Sequence, residues 1–158
     1  MDEQLNQKAK EIISRILYIT IATCSKDGVP WNSPVYSAYD DHYNFYWASW
    51  VENKHSKNIA ENEKVFFVIY DSTVPEGTGE GVYVQAKAEI LTDVKEIEYT
   101  LSLLYTRKGA DPQKRNPQEF LGDHPRRVYK AVPEKVWMNA EGDIDGEYVD
   151  KRVEVHLL

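Results

Sequence analysis

Residues 47–59 are Trp47-Ala48-Ser49-Trp50-Val51-Glu52-Asn53-Lys54-His55-Ser56-Lys57-Asn58-Ile59, a passage from an aromatic strand into a helix start. Asn53 is a favourable N-cap residue, which would place Lys54, His55 and Ser56 in the first helical turn. Helix N-termini carry partial positive charge, so these basic side chains stand at the unfavourable end. A bound anion would reverse that penalty, because free backbone N–H groups and Lys, His and Ser side chains together form an anion site. The alternative is that these side chains simply point into water.

The aromatic residues before this turn admit two interpretations. Trp47 and Trp50 flank Ser49, so a planar ring system could lie beside an anion held by the turn. Tryptophans at a strand end are as often part of a core or a subunit interface. The sequence pattern leaves both interpretations open.

The segments on both sides of residues 47–59 predict a mainly β protein with helices at its edges. Apolar spacing predicts helices over about residues 3–15, 54–62 and 94–105. Strands are predicted over residues 17–23, 30–39, 43–48, 64–70, 82–91, 128–132, 136–139 and 148–157. Tight turns at Asp27-Gly28 and at residues 40–42 predict that the first three strands form an antiparallel meander. A barrel with edge helices fits this order, and a β-sandwich is the competing architecture.

The length, charge and composition of the chain limit the classes of function that it can have. The 158 residues suit one domain, 1–158, and residues 108–122 are predicted to cross the surface with a short helical piece. A net charge of −7 argues against general nucleic-acid binding but permits a local basic pocket. The sequence contains no apolar run long enough to predict a membrane segment. Cys24 is the only cysteine, which excludes an intrachain disulfide, so we expect a cytoplasmic protein. The four histidines lack metal-ligand spacing, which predicts no metal site.

A series of motifs, taken in order, resembles the pyridoxamine phosphate oxidase-like, FMN-binding split-barrel superfamily. Each motif is short, and it is their order and spacing over residues 5–140 that carries the resemblance. The motifs are Ile19-Thr20-Ile21-Ala22-Thr23, Asp27-Gly28-Val29-Pro30, Ser33-Pro34-Val35, Phe45-Tyr46-Trp47-Ala48-Ser49, His55-Ser56-Lys57-Asn58-Ile59, Gly79-Glu80-Gly81-Val82-Tyr83-Val84-Gln85 and Arg127-Val128-Tyr129-Lys130-Ala131-Val132-Pro133-Glu134-Lys135-Val136-Trp137.

The resemblance implies a six-stranded antiparallel Greek-key split barrel that forms a homodimer with FMN in two clefts between the subunits. The strand containing Asn32-Ser33-Pro34-Val35 would run along the edge of the isoalloxazine and contact it through backbone groups. Trp47-Ala48-Ser49 and the turn Lys54-His55-Ser56 would hold the ribityl phosphate. The second subunit would cover part of the flavin, with Trp137 and Tyr83 as candidates; packing within the dimer interface is the other role open to them.

Departures from the family pattern narrow the expected activity. Residues 33–38 are uncharged where authentic pyridoxamine phosphate oxidases carry basic residues, and Asn53-Lys54-His55 stands where those enzymes have Ser-Arg-Lys. Residues 149–158 lack their basic substrate-binding signature. We therefore expect an FMN-dependent oxidoreductase acting on an unidentified small molecule, with NAD(P)H or oxygen as redox partner. A flavin-binding sensor or storage protein without turnover, and a barrel that binds haem or a deazaflavin, are the alternatives. The sequence points to no particular catalytic acid or base.

Overall fold

The computed structural model describes residues 2–109, 115–145 and 147–158, and its elements follow the expected mainly β pattern. The helices are α1 (Asp2–Arg15), α2 (Lys54–Glu61) and α3 (Val94–Arg107), with a short 3₁₀ helix at Pro117–Phe120. The strands are β1 (Tyr18–Cys24), β2 (Pro30–Tyr36), β3 (Ala38–Tyr39), β4 (Phe45–Trp50), β5 (Lys64–Tyr70), β6 (Gly81–Ile90), β7 (Arg126–Ile144) and β8 (Glu147–Glu154). No helix within the described residues is both long enough and apolar enough to span a membrane.

All strand pairs are antiparallel, and the sheet order is β2-β1-β5-β6-β7-β4-β3, with β8 paired to β7. The mainly β antiparallel expectation is confirmed, but the described residues form eight strands and not six. The additional strands arise because the predicted strand 30–39 is interrupted at Ser37, and because β8 extends β7 into a hairpin.

Both hairpins of the predicted meander are present, although its middle strand is divided at Ser37 into β2 and β3. β1 and β2 form the expected hairpin, whose turn contains Gly28 at φ 83, a conformation that glycine adopts readily. β3 and β4 form the second expected hairpin, around the turn at residues 40–42. β2 and β3 stand at opposite ends of the sheet order but follow each other in the chain with one residue between them, so this divided strand closes the sheet on itself. Turn residues define these two hairpins locally, whereas the pairing of β1 with β5 and of β4 with β7 depends on contacts distant in sequence.

The two strands predicted over 128–132 and 136–139 are one continuous strand, β7. Pro133 lacks a backbone N–H, which made it a reasonable end of a strand in the sequence. In the structure Ala86 pairs with Pro133 and Gln85 with Lys135, so the register shifts there by one residue. A β-bulge of this kind accommodates proline and bends the strand without ending it.

The first turn of α2 lies between β2 and β4. β2 and β4 lie near opposite ends of the sheet order, yet the side chain of His55 on α2 contacts Ser33 of β2 and Ser49 of β4. The sheet is therefore curved so that these two strands approach each other. The main core lies inside this curve and includes Ile21, Phe67 and Val84, while a smaller core joins α3 to β4 and β7 through Tyr46, Ile97 and Val128.

Candidate functional site

A buried histidine forms the centre of the site. The Nε2 atom of His55 lies 2.7 Å from Ser49 Oγ, and its Nδ1 atom lies 3.1 Å from Ser33 Oγ. Only 5% of His55 and 8% of Ser49 is exposed. The first turn of α2 thus connects β2 and β4, which are not neighbours in the sheet order. Ser33 of β2 and Ser49 of β4, both predicted site residues, meet at His55 of the predicted turn.

Asn53 occupies the predicted N-cap position of α2 but makes no side-chain capping hydrogen bond. Its Nδ2 atom instead donates to Ser49 Oγ at 2.9 Å. The first turn of α2 also contains no acidic residue. Backbone N–H groups at a helix start that lack a side-chain cap remain available to an anion, as an anion site at this turn requires.

A cavity of about 400 Å³ opens beside His55. Of the sequence-predicted site residues, Pro34, Val35, Ala48, Ser49 and His55 line this cavity. The other lining residues come from the strand ends, from α3 and from the segment before β7: Tyr36, Trp50, Asn53, Leu101, Leu104, Tyr105, Lys108, Arg115, Phe120 and Arg126. Among the strands of the described chain, β2 pairs only with β1, so its other edge is available to a ligand.

The cavity is basic although the chain carries a net charge of −7. Within the described parts of the chain, no aspartate or glutamate lines it. Lys108 Nζ lies 4.5 Å from the centre of the Tyr105 ring, and the Arg126 guanidinium lies 5.1 Å from that of Trp50. Aromatic faces hold these cations in place without neutralising their charge.

The charge at the helix start differs from the sequence-based expectation. Burial lowers the pKa of His55 below its ordinary value, so the imidazole is neutral near pH 7 and does not add a third positive charge. Lys57 forms an ion pair with Glu52 at 2.7 Å, which leaves Lys54 as the cation of the first turn. Lys54 is exposed and does not line the cavity.

Several predicted cofactor residues lie outside the cavity. Trp47 has no exposed surface and stacks on Tyr129 with ring centres 5.4 Å apart, so its side chain belongs to the core. Ser56 is also buried, and Asn32 is exposed on β2. Of the two roles that the sequence left open for Trp47, its side chain therefore has the one in the core, whereas Ala48 and Ser49 on the same strand line the cavity.

Trp137 and Tyr83 lie together in a different place. With Phe66 and Arg152 they line a separate shallow cavity of about 230 Å³ on the outer face of the sheet. The Trp137 ring stacks on Phe66 with centres 6.3 Å apart, and the Arg152 guanidinium lies 4.1 Å from the centre of the Tyr83 ring. Within one chain, therefore, they do not line the cavity beside His55.

Sequence reasoning missed the wall formed by Lys108, Arg115 and Arg126. These residues come from the end of α3, the segment before the 3₁₀ helix and the start of β7. No local motif connects them, because only the packing of α3 against β4 and β7 brings them to one cavity. A basic pair at Arg126-Arg127 directly before a strand was the one available signal, and it is weak.

The chain belongs to the pyridoxamine 5'-phosphate oxidase family, because the model of that family matches residues 5–140. The resemblance stated from the motifs is thereby confirmed. A search of curated proteins found no significant match.

Solved structures share the fold at low sequence identity. A candidate 5-nitroimidazole antibiotic resistance protein from Bacteroides thetaiotaomicron has a TM-score of 0.67 at 15% identity, covering 84% of this chain and 81% of that one. A candidate pyridoxamine 5'-phosphate oxidase from Listeria innocua has a TM-score of 0.62 at 16% identity, covering 84% and 95%. HutZ, the heme storage protein from Vibrio cholerae, has a TM-score of 0.60 at 13% identity, covering 82% and 91%.

Proposed function

We propose that this protein binds FMN in the cavity beside His55 and acts as an oxidoreductase on a small molecule, with NAD(P)H or oxygen as redox partner. The observation that carries the proposal is the His55 bridge between Ser33 and Ser49, which lies at an uncapped helix start and opens into a basic cavity. Hydroxyl, imidazole and backbone N–H donors of this kind suit a phosphate monoester.

The residues present fit a flavin phosphate in position and in chemistry. Ser49, His55 and the first turn of α2 would hold the phosphate, and Pro34 and Val35 of β2 would lie along the ring system. Leu101, Leu104 and Phe120 supply an apolar wall that excludes water from part of the cavity. When bound, FMN would supply the two-electron redox chemistry, and this chain would supply position and electrostatic environment.

We further propose a homodimer with FMN in the clefts between subunits. Phe66, Tyr83 and Trp137 form an aromatic surface on the outer face of the sheet, and 38% of Phe66 is exposed. Exposed aromatic clusters are typical of interfaces. A partner bound there would bury this surface.

A haem-binding function is the second candidate, because the fold is shared with a heme storage protein. Both nitrogens of His55 are engaged by serine hydroxyls, which disfavours His55 as an iron ligand in this cavity. Absorbance and mass analysis of the ligand that copurifies distinguishes the two functions. A yellow protein that NADPH bleaches and air restores supports the oxidoreductase, whereas a yellow protein without turnover is the non-catalytic flavin protein.

The double variant Lys54→Ala/His55→Ala tests the phosphate turn. We expect its FMN binding to be weaker by about 2–4 kcal/mol, because the variant removes the positive charge of Lys54 beside the turn and the His55 hydrogen bonds that hold Ser33 and Ser49. Fluorescence titration of FMN measures the change, and Lys95→Ala, an exposed lysine on α3 outside the cavity, is the control. Equal affinity in the double variant and the parent would show that the phosphate lies elsewhere.

A further inference from the structure

His55 is the middle of a continuous chain of hydrogen bonds. Trp31 Nε1 donates to Ser33 Oγ at 3.0 Å, and Ser33 Oγ lies 3.1 Å from His55 Nδ1. His55 Nε2 lies 2.7 Å from Ser49 Oγ, which accepts from Asn53 Nδ2 at 2.9 Å. The chain runs from β2 through α2 to β4, and an indole and an amide close its two ends.

The two end groups determine how the protons are distributed. An indole N–H and an amide NH₂ can only donate, so each serine oxygen accepts at one end of the chain. A neutral imidazole has one donor nitrogen and one acceptor nitrogen. One serine therefore donates to His55 while the other accepts from it. Only the serine that accepts keeps its own hydroxyl proton free for a ligand.

Protonation of His55 changes this distribution. An imidazolium donates from both nitrogens, so both serines become acceptors toward His55. Both hydroxyl protons are then free, and Ser49 lines the cavity. A single added proton thus contributes a positive charge and ensures that the hydroxyl of Ser49, which lines the cavity, is free to donate to a ligand. Both changes favour an anion over a neutral ligand.

The titratable or charged groups that share the cavity are Tyr36 on β2, Tyr105 and Lys108 near the end of α3, Arg115, and Arg126 on β7. Lys54 precedes His55 on α2, and the nearby Glu52 is paired with Lys57. Glu119, a carboxylate that contacts a lining residue, is already engaged, because it forms an ion pair with Arg115 at 3.2 Å. Within the described chain the cavity lining contains no carboxylate that could stabilise an imidazolium, so that role falls to the ligand.

We propose that Trp31, Ser33, His55, Ser49 and Asn53 form a proton-coupled phosphate site, in which His55 takes up one proton from solvent when a phosphate monoester dianion binds. The proposal rests on the proposed function for the identity of that ligand, the FMN phosphate. It adds that His55 is neutral before binding and cationic afterwards, and that Trp31 and Asn53 position the two serine oxygens. Burial also keeps the pKa of free His55 low, in agreement with the neutral starting state.

Calorimetry in buffers of different ionisation enthalpy measures the protons taken up on binding. The titration uses FMN at about pH 7, where a phosphate monoester with a second pKa near 6 is mostly dianionic. We expect the unmodified protein to take up about half a proton or more per FMN, a fraction that decreases as pH rises. FMN affinity should decrease over the same pH range. Riboflavin, which lacks the phosphate, should bind more weakly.

The variant His55→Gln assigns the proton to its residue. Glutamine keeps one donor and one acceptor but cannot be protonated, so we expect no uptake and about tenfold weaker FMN binding. His42→Gln is the matched control, because His42 is exposed on the turn before β4 and does not line this cavity. If His55→Gln does not fold, His55→Asn provides the same test.

The outcomes separate the two proposals. Failure of the unmodified protein to bind FMN would overturn the proposed function and this proposal with it. FMN binding without proton uptake, or with uptake that persists in His55→Gln, would overturn the proton-coupled site and leave flavin binding intact. Uptake lost in His55→Gln and kept in His42→Gln supports the assignment.

Discussion

The residue whose role the structure changes most is His55. Its position at a helix start predicted an anion site, and the structure confirms its position in the first turn of α2. The sequence did not predict that Ser33, 22 positions away, would contact its ring, because that contact depends on the curvature of the sheet. Nor could a sequence pattern show that burial keeps the imidazole neutral.

Burial of His55 predicts a pH dependence of folding stability. The pKa of His55 lies below its ordinary value of 6.5, so the unfolded chain binds this proton more readily than the folded chain. The stabilising contribution is complete above about pH 6.5 and is lost as pH falls. We expect the free energy of unfolding without ligand to decrease on acidification by up to about 1.4 kcal/mol per pH unit from this group. Urea unfolding between about pH 8 and pH 5.5 tests this, and the His55→Gln variant should have a smaller slope. An equal slope in both proteins would contradict the prediction.

At the scale of elements, local patterns predicted most helices and strands and the two hairpins β1–β2 and β3–β4, but not the remaining strand pairs. The predicted strand over 64–70 matches β5, and the helix beginning at residue 94 matches the start of α3. Periodicity and turn residues are local properties, so such elements can be identified from the sequence. The pairing of β4 with β7 and the continuity of β7 through Pro133 depend on strands that are distant in sequence. Sequence patterns do not contain that information.

The packing of α3 against α1 provides an element-scale prediction. Arg107 donates from one nitrogen to the carbonyl oxygens of Ile13 at 2.6 Å and Ile16 at 2.7 Å, and its guanidinium lies 4.8 Å from the centre of the Tyr39 ring. Ile13 lies in the last turn of α1 and Ile16 directly follows the helix, a region where carbonyl groups lack intrahelical donors. We expect Arg107→Lys to lower the free energy of unfolding by about 1–3 kcal/mol, since an ammonium cannot stack on the Tyr39 ring as the planar guanidinium does while it donates to both carbonyls.

Chemical denaturation of Arg107→Lys measures this loss, with Arg15→Lys as control. Arg15 forms an exposed ion pair with Asp71, which contributes little to stability, so the control should change by less than about 0.5 kcal/mol. If both variants unfold at the same denaturant concentration as the parent, the contacts of Arg107 between α3 and the end of α1 do not contribute to the free energy of unfolding.

At the scale of the whole molecule, the clustered basic residues and the clustered aromatic residues lie at two different places on the surface. The acidic chain concentrates Lys108, Arg115 and Arg126 at one cavity and Phe66, Tyr83 and Trp137 on the outer face of the sheet. The sequence predicted the anion-binding turn but not the basic wall, because elements far apart in the chain meet only in the folded molecule. It singled out Trp137 and Tyr83 but could not place them relative to the cavity.

The aromatic face predicts coupling between assembly and flavin binding. If a second copy buries this face and completes the cleft, Trp137→Ala should weaken dimerisation by about tenfold or more, because buried tryptophans dominate interface energies. Dilution of the parent should likewise release FMN, since binding that requires two subunits depends on protein concentration. Sedimentation velocity over a concentration series, recorded at protein and flavin wavelengths, measures both effects. Tyr99→Ala removes an aromatic side chain that is 47% exposed on α3, away from the face, and should leave assembly unchanged. A monomer that retains FMN on dilution would show that one chain contains the complete site.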